Sequence, residues 1–372
     1  MHCIVVGAGI IGVTVALRLV QRGTSVTLLD RAVPGAGTTG TTFAWVNASS
    51  KEPHDYFALN AAGMAAHARL AAEFGDASWL VPTGSLEWET SVVGQERLAA
   101  RGRQLSDWGY PVQFLTYRQV ERLEPDLRWG PEVGDVLFYP DESFVFPSLY
   151  LANLLRAARA RGTALRLGEE VMEVVVEGGR VSGVRLRSGE RLAADLVICC
   201  AGRWTPDILH SAGVDLPLIS PLPAGSEAVG LLVRTAPVAA DVRRVLHPPD
   251  LAMRPDGGGR LLLQSDLRDR EMAFDLPMSP PPPAAHRLLA MASPLVPALR
   301  HPAIETATIG IRPIPADGFS AVGWMAGIEG LYVMVTHSGV TLAPILAELA
   351  VREVHGLSEA LLAPFRPDRF TA

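Results

Sequence analysis

The first thirty residues constrain the fold more than any other stretch. His2-Cys3-Ile4-Val5-Val6 is a short, continuously apolar run, the pattern of a strand buried on both faces of a parallel sheet. Gly7-Ala8-Gly9-Ile10-Ile11-Gly12 follows at once. Val13 to Arg22 reads as a helix, and Gly23 suits its C-cap. Ser25-Val26-Thr27-Leu28-Leu29 is the next strand, and it ends in Asp30, 18 residues past Gly12. A tight glycine turn between strand and helix, with an acid closing the following strand, is a dinucleotide-binding fingerprint in its required context. Gly7 allows the turn, Gly9 lets backbone approach a pyrophosphate, and Gly12 lets helix pack on strand. Free N–H groups and the dipole at the helix N-terminus favour the phosphates. Asp30 can accept from ribose hydroxyls. The plainer reading of the glycines alone is a packing site between helix and strand; the full constellation is far more specific.

The chain has 372 residues, 48% hydrophobic and 19% charged, with a net charge of -6. That composition excludes a disordered or fibrous chain, and the length suits about two and a half ordinary domains. No Lys/Arg cluster builds a phosphate-binding face, which argues against nucleic acid as a partner. Three cysteines, two of them the adjacent Cys199 and Cys200, cannot build a disulfide framework, so a reducing compartment is expected. No apolar run reaches the ~18 residues that span a bilayer. Met1–Val20 lacks a basic start and is interrupted by glycines, so it reads as strand and helix rather than a signal peptide. A cytoplasmic protein is the expectation.

The fingerprint does not separate NAD from FAD; the next segment does. From Arg31 to Asn47 the chain is rich in Gly and Thr where a plain NAD domain continues into a helix. Small hydroxyl residues on a flexible backbone suit a loop wrapped on a pyrophosphate and a flat ring. Phe43, Ala44 and Trp45 argue against a solvated surface loop. Further on, Leu149–Arg161 reads as an amphipathic helix, followed by strands at Val171–Glu177, Val181–Arg187, Arg191–Ala194 and Leu196–Cys200. Thr83–Glu89, Leu222–Val233, Leu251–Arg254 and Arg260–Gln264 are strand-like, with Asp256-Gly257-Gly258-Gly259 as a hairpin turn. Met278–Pro283 reads as a loop, Ala284–Leu299 as a helix, and Leu342–Val351 as an apolar helix.

Four segments resemble the FAD-dependent amine and amino-acid oxidase superfamily, which includes glycine oxidase, sarcosine oxidase and D-amino-acid oxidase. They are Gly7–Gly12 with Asp30-Arg31, the Thr38–Asn47 loop, Leu196–Trp204 with its Ala201-Gly202, and the C-terminal pair Gly310-Ile311-Arg312-Pro313 and Thr336–Pro344. The resemblance implies an α/β fold (α+β overall): a Rossmann-like FAD-binding domain with a discontinuous antiparallel-sheet substrate domain. The expected division is 1–82, 141–221 and 303–372 for the FAD domain, with 83–140 and 222–302 for the substrate domain. It implies non-covalent FAD held by Gly7, Gly9, Ile10, Ile11, Gly12, Asp30 and Arg31, and by Thr38, Thr39, Thr42, Phe43, Ala44 and Trp45 of the loop. Val171, by its backbone, Ala201, Gly202, Trp204 and Gly310 complete the implied set, with Ser338, Gly339, Val340 and Thr341 at a helix N-terminus. No cysteine follows Cys200, which excludes a thioether in the C-terminal third.

Three residues are candidates for the chemistry. Arg312 sits where the family places its carboxylate-binding arginine, and a bidentate guanidinium is the natural partner of a substrate carboxylate; the alternative is a structural salt bridge, for instance to Asp317. Lys51, the sole lysine, and His337, just before the Ser338–Thr341 helix start, are candidates for a positive charge that assists oxygen. A solvated surface lysine and a satisfied core histidine are the plain readings of these two. Helix N-terminal N–H groups would stabilise the charge of a reduced flavin near N1 and O2. His337 stands where glycine oxidase-like sequences can carry a second arginine, which argues against glycine itself as substrate.

The expected activity is oxidation of the C–N bond of a small amino acid or amine, with O2 as acceptor and H2O2 as product. The nearest rival passes electrons to a quinone or protein acceptor. A flavin monooxygenase needs a late Gly-Asp motif, and the only Gly-Asp-Ala is the early Gly75-Asp76-Ala77. A non-catalytic flavoprotein fits poorly with Arg312 being present.

Overall fold

A computed structural model describes residues 1–130, 133–300 and 303–370. Its centre is a six-stranded sheet in the order Ala321–Trp324, Leu331–Val335, Leu196–Cys199, His2–Val6, Ser25–Asp30, Ala164–Leu167. All neighbours are parallel except the first pair. Successive side chains of a strand point to opposite faces, and both faces here are covered. Cys3 and Val5 enter one core with the helices Ile10–Gln21, Pro147–Ala160 and Gly339–Val354. Ile4 and Val6 enter another, with the three-stranded sheet Val171–Glu177, Arg180–Leu186, Arg191–Ala193 and the helix Thr205–His210.

The second body is an eight-stranded, mostly antiparallel sheet. It runs Ile304–Ile311, Val229–Thr235, Leu261–Gln264, Ala252–Pro255, Val245–His247, Ser85–Glu87, Val136–Tyr139, Gln113–Leu115. One face packs on the helix Pro283–Ala292 through Leu231, Val233, Leu263 and Leu288. A small sheet, Trp45–Val46, Ser143–Val145 and Leu80–Val81, joins the two bodies.

Several elements differ from expectation. The first helix starts at Ile10, since Gly9 in extended backbone serves as its N-cap. Of Leu222–Val233, only Val229 onward is strand, continuing to Thr235. Pro223 has no N–H to pair, and Gly225 takes a left-handed turn (φ +83°) that donates to the carbonyl of Met272. The helix expected over Ala284–Leu299 ends at Ala292 and resumes as a 3₁₀ turn at Pro297–Arg300, because Pro294 and Pro297 lack N–H donors. The strand Ile304–Ile311, expected with the nucleotide-binding body, pairs instead with Val229–Thr235 from Val229↔Ile311 to Thr235↔Ile304. It therefore carries the chain out of the second sheet just before Arg312. The helices His54–Phe74 and Val92–Asp107 were not anticipated.

Candidate active site

The glycine turn is locked by backbone contacts. Gly7, at φ +103°, donates its N–H to the Leu29 carbonyl at 2.7 Å. A Cβ there would sit 2.5 Å from the Cys200 carbonyl oxygen, and a Cβ on Gly12 only 1.9 Å from the Gly7 carbonyl oxygen. Asp30 fastens the turn from the next strand: one oxygen accepts from the Ala8 N–H at 2.7 Å, the other from Ala32 at 2.8 Å. A carboxylate has about four lone-pair sites, so capacity remains for a ribose hydroxyl. The Thr39 hydroxyl accepts from Ile10 N–H at 3.0 Å, tying the loop to the helix start.

An elongated cavity of about 540 Å³ opens along this turn. Gly7, Gly9, Ile10, Ile11 and Thr39 line it, together with Asp30, Arg31 and Val171. Ala201, Gly202 and Trp204 line it as well, and His337, Gly339 and Val340 reach it from the C-terminal part of the chain. Trp204 is held between two guanidinium groups, Arg31 at 3.8 Å and Arg203 at 4.0 Å from the ring centroid. An elongated cradle whose closest backbone approaches admit no Cβ, with a helix N-terminus on its wall, fits a dinucleotide such as FAD. Gly12 acts from behind, seating the helix rather than lining the space.

A second cavity, about 200 Å³, meets the first at Thr38, Thr42, His337 and Val340. Phe43, Ala44, Trp45, Gly310, Ser338 and Thr341 line it. Ala44 holds a left-handed backbone (φ +59°), a strained choice for a residue with a side chain. The helix N-terminus enters this cavity through Ser338, Val340 and Thr341, with Gly339 on the side of the first cavity. Ser338 does not cap it; its hydroxyl accepts from Tyr56 at 2.8 Å. Gly63, on the helix His54–Phe74, lets that helix cross close to Thr341, since a Cβ would lie 2.6 Å from the Thr341 carbonyl oxygen.

Lys51, Arg312 and His337 all line this second cavity. Arg312 lies over Gly230, where a Cβ would come within 2.8 Å of its Nη2. Its carboxylate partner is Asp269, with Asp266 at 3.9 Å. The partner suggested by sequence, Asp317, pairs with Arg369 at 2.6 Å. Asp269 also accepts from the Leu231 N–H at 2.7 Å, and burial pushes its carboxyl up to about 6. Burial lowers the Lys51 ammonium to about 8, against the attraction of Glu142. Burial, reinforced by Lys51 and Arg312, drops His337 to about 3, and its Nδ1 has no hydrogen-bond partner. His337 is therefore neutral near pH 7, and the local positive charge sits on Lys51 and Arg312.

Sequence reasoning missed Glu142, Asp269, Gly230 and Gly63. Each acts through a partner far away in the chain, and Glu142, between Asp141 and Ser143, has the look of a solvated turn residue. Among the described residues there is no cluster of His, Cys, Asp or Glu fit to hold a metal, and no helix is long and apolar enough to cross a membrane.

The nucleotide cradle joined to a charged side cavity defines a flavin-dependent oxidoreductase. The sequence profile of the FAD dependent oxidoreductase family (DAO) matches residues 2–353, and the chain belongs to that family. It is 26% identical over 381 residues to the uncharacterized oxidoreductase YurR of Bacillus subtilis, with 98% of each chain covered. It is 27% identical over 376 residues to a glycine oxidase of Pseudomonas aeruginosa, again with 98% of each covered. The fold matches the crystal structure of glycine oxidase from Geobacillus kaustophilus with a TM-score of 0.84 at 23% identity, over 99% of this chain and 98% of that one.

Proposed function

We propose that this enzyme oxidises the C–N bond of a small amino acid to an imine, and that O2 takes up the two electrons and two protons as H2O2. The observation that supports this reading is the convergence of Arg312, Lys51 and His337 on a small cavity that opens into the nucleotide cradle. The bound FAD supplies the two-electron chemistry. Arg312 binds the substrate carboxylate; Asp269 holds one edge of the guanidinium and leaves other N–H groups for the substrate. His337 stays uncharged, so it does not repel the amine. Gly339 and Val340 bring helix N–H groups and their partial positive charge to the junction of the cavities. Segments 83–140 and 222–302, with the strand Ile304–Ile311, form the substrate side of this proposal. Segments 1–82 and 141–221 and the chain after Arg312 form the FAD side.

Lys51 places its charge where negative charge builds up on oxygen. Lys51→Met is expected to slow the reaction of the substrate-reduced enzyme with O2 about ten-fold, a barrier change of about 1.4 kcal/mol, and to leave the substrate half-reaction nearly unchanged. Lys51 is almost fully charged well below pH 8, half charged near 8 and neutral well above it, so native reoxidation should slow as pH rises through about 8. His337→Ala should leave reoxidation unchanged, because the ring carries no charge to lose. Stopped-flow mixing of reduced enzyme with O2, together with the peroxide yield per substrate oxidised, checks these outcomes. Slow native reoxidation with fast electron transfer to a quinone would replace the oxidase reading with a dehydrogenase.

A further inference from the structure

Lys51 is reached by a segment that is tied down from one side by a single carboxylate. Glu142 is fully buried. One of its oxygens accepts from Trp45 Nε1 at 2.9 Å and from the Ser85 hydroxyl. The other accepts from the Tyr110 hydroxyl at 2.7 Å and the Ser49 N–H at 3.3 Å. Two of these donors, Trp45 and Ser49, belong to the segment that ends at Lys51. Tyr110 adds a third tie by accepting from the Ala48 N–H at 3.3 Å. From the other side Arg101 donates to the carbonyls of Ser49 and Lys51, at 2.6 and 2.9 Å. The backbone leading to Lys51 is thus clamped between Glu142 and Arg101, while the Lys51 ammonium has no ion-pair partner within 4 Å among the described residues.

We propose that Glu142 is a positioning residue for Lys51: its carboxylate fixes the Trp45–Lys51 segment and supplies the counter-charge that keeps the ammonium protonated beside the reaction cavity. The proposal rests on the acceptor role given to Lys51 above. Burying a carboxylate without a direct ion pair is costly, and four donors with a cation nearby are what compensate it. The groups that face the pair include Arg101, at the Lys51 carbonyl and paired with Glu52 at 2.7 Å, and the neutral His337 across the cavity. Tyr110 and Tyr139 stand near Glu142, Tyr139 itself bonded to Glu87 at 2.8 Å. On the far side of Lys51 stand Arg312, which opposes its charge, and Asp266, which supports it. Glu142 is the leading attraction felt by Lys51, and its own carboxyl is raised to about 7 by burial.

Lys51 is the sole lysine of the chain, so its titration can be read directly. In FAD-loaded enzyme grown with lysine labelled at the ε-carbon, one NMR resonance should titrate near pH 8. Glu142→Gln keeps the shape and the acceptor on one side, replaces the other oxygen by a donor, and removes the charge. Its Lys51 midpoint should fall by about one pH unit, the scale of a nearby opposite charge. Tyr110→Phe removes one donor, weakens the ionised carboxylate, and should move the midpoint the same way by less. The pH at which reoxidation slows should move in step with the resonance. A purely structural role would lower stability or FAD content in both variants and leave the midpoint in place, which would overturn the proposal. Should Glu142→Gln fail to fold, an unmoved midpoint in Tyr110→Phe overturns it equally. Failure of the acceptor reading shows separately, as Lys51→Met enzyme that reoxidises at the native rate.

Discussion

Arg312→Ala should raise the apparent substrate constant by about one to two powers of ten and lower the rate of the substrate half-reaction, with FAD content intact. A hydrogen bond to a charged group contributes roughly 1.5–3 kcal/mol, which sets that range. The rate loss follows from geometry, since a carboxylate that is no longer anchored lets the reacting C–H drift from its productive position. The substitution also strands Asp269, which is buried and already raised to about 6 by desolvation. Without the guanidinium its carboxyl should rise further, leaving a neutral acid in the wall. Arg312→Lys should recover only part of the loss, because a point charge cannot serve Asp269 and a substrate carboxylate as a planar fork does. The decarboxylated amine is the control: a poor substrate for the native enzyme, and little affected by the substitution. Steady-state and single-turnover kinetics on the acid and its amine measure each part. Equal turnover of both by native enzyme, unchanged in Arg312→Ala, would make Arg312 structural.

Gly7→Ala should yield protein that retains little flavin. The residue stands at φ +103°, and its Cβ would meet the Cys200 carbonyl oxygen at 2.5 Å and the carbonyl carbon at 2.9 Å. Both contacts are backbone, so no side-chain rotation relieves them and the turn must open. The affinity for FAD, followed by flavin fluorescence, should weaken at least about ten-fold, or about 1.4 kcal/mol. Gly23→Ala separates cradle from backbone cost. Gly23 also has positive φ, +81°, but nothing lies within 4 Å of its Cβ position. That variant should lose about 1 kcal/mol of stability and keep its flavin. In native protein, acid precipitation should leave all the colour in the supernatant, since no cysteine follows Cys200 to form a thioether from the C-terminal third; colour kept in the pellet would show a covalent link.

What was legible in the chain was what local physics determines. The turn from Val6 to Gly12 reads directly, because Gly7 takes a left-handed φ and no Cβ fits at Gly7 or Gly12, and Asp30 ends the next strand where it reaches the Ala8 N–H. The strand alternation at Cys3–Val6 and Leu196–Cys199 was visible as continuous apolar runs because both faces are buried. What stayed hidden was decided by distance along the chain. Arg312 was found, but its partner lies 43 residues away on a short helix, and no spacing rule links Asp269 to it. Glu142 meets donors 32 to 97 residues away, so nothing near it in sequence distinguishes it from a surface acid. The buried face of the helix His54–Phe74 is Tyr56, Phe57, Leu59, Asn60, Gly63, Ala66, His67 and Leu70, and the polar Asn60 and His67 with the small Gly63 and Ala66 break the apolar stripe that would mark it in the sequence. Leu222 to Ala228 was overread as strand: its apolar residues outweighed Pro223 and Gly225, which end the pattern.

The most direct measurement is the visible flavin spectrum of the enzyme under anaerobic conditions, recorded as single small amino acids, N-methyl amino acids and simple amines are added in turn. Bleaching reports the substrate half-reaction whatever the later acceptor. At least one small amino acid should bleach the flavin rapidly, its decarboxylated amine far more slowly, and admitted air should restore the colour with one peroxide formed per flavin reduced. A flavin that dithionite bleaches but no amine or amino acid does would contradict the account.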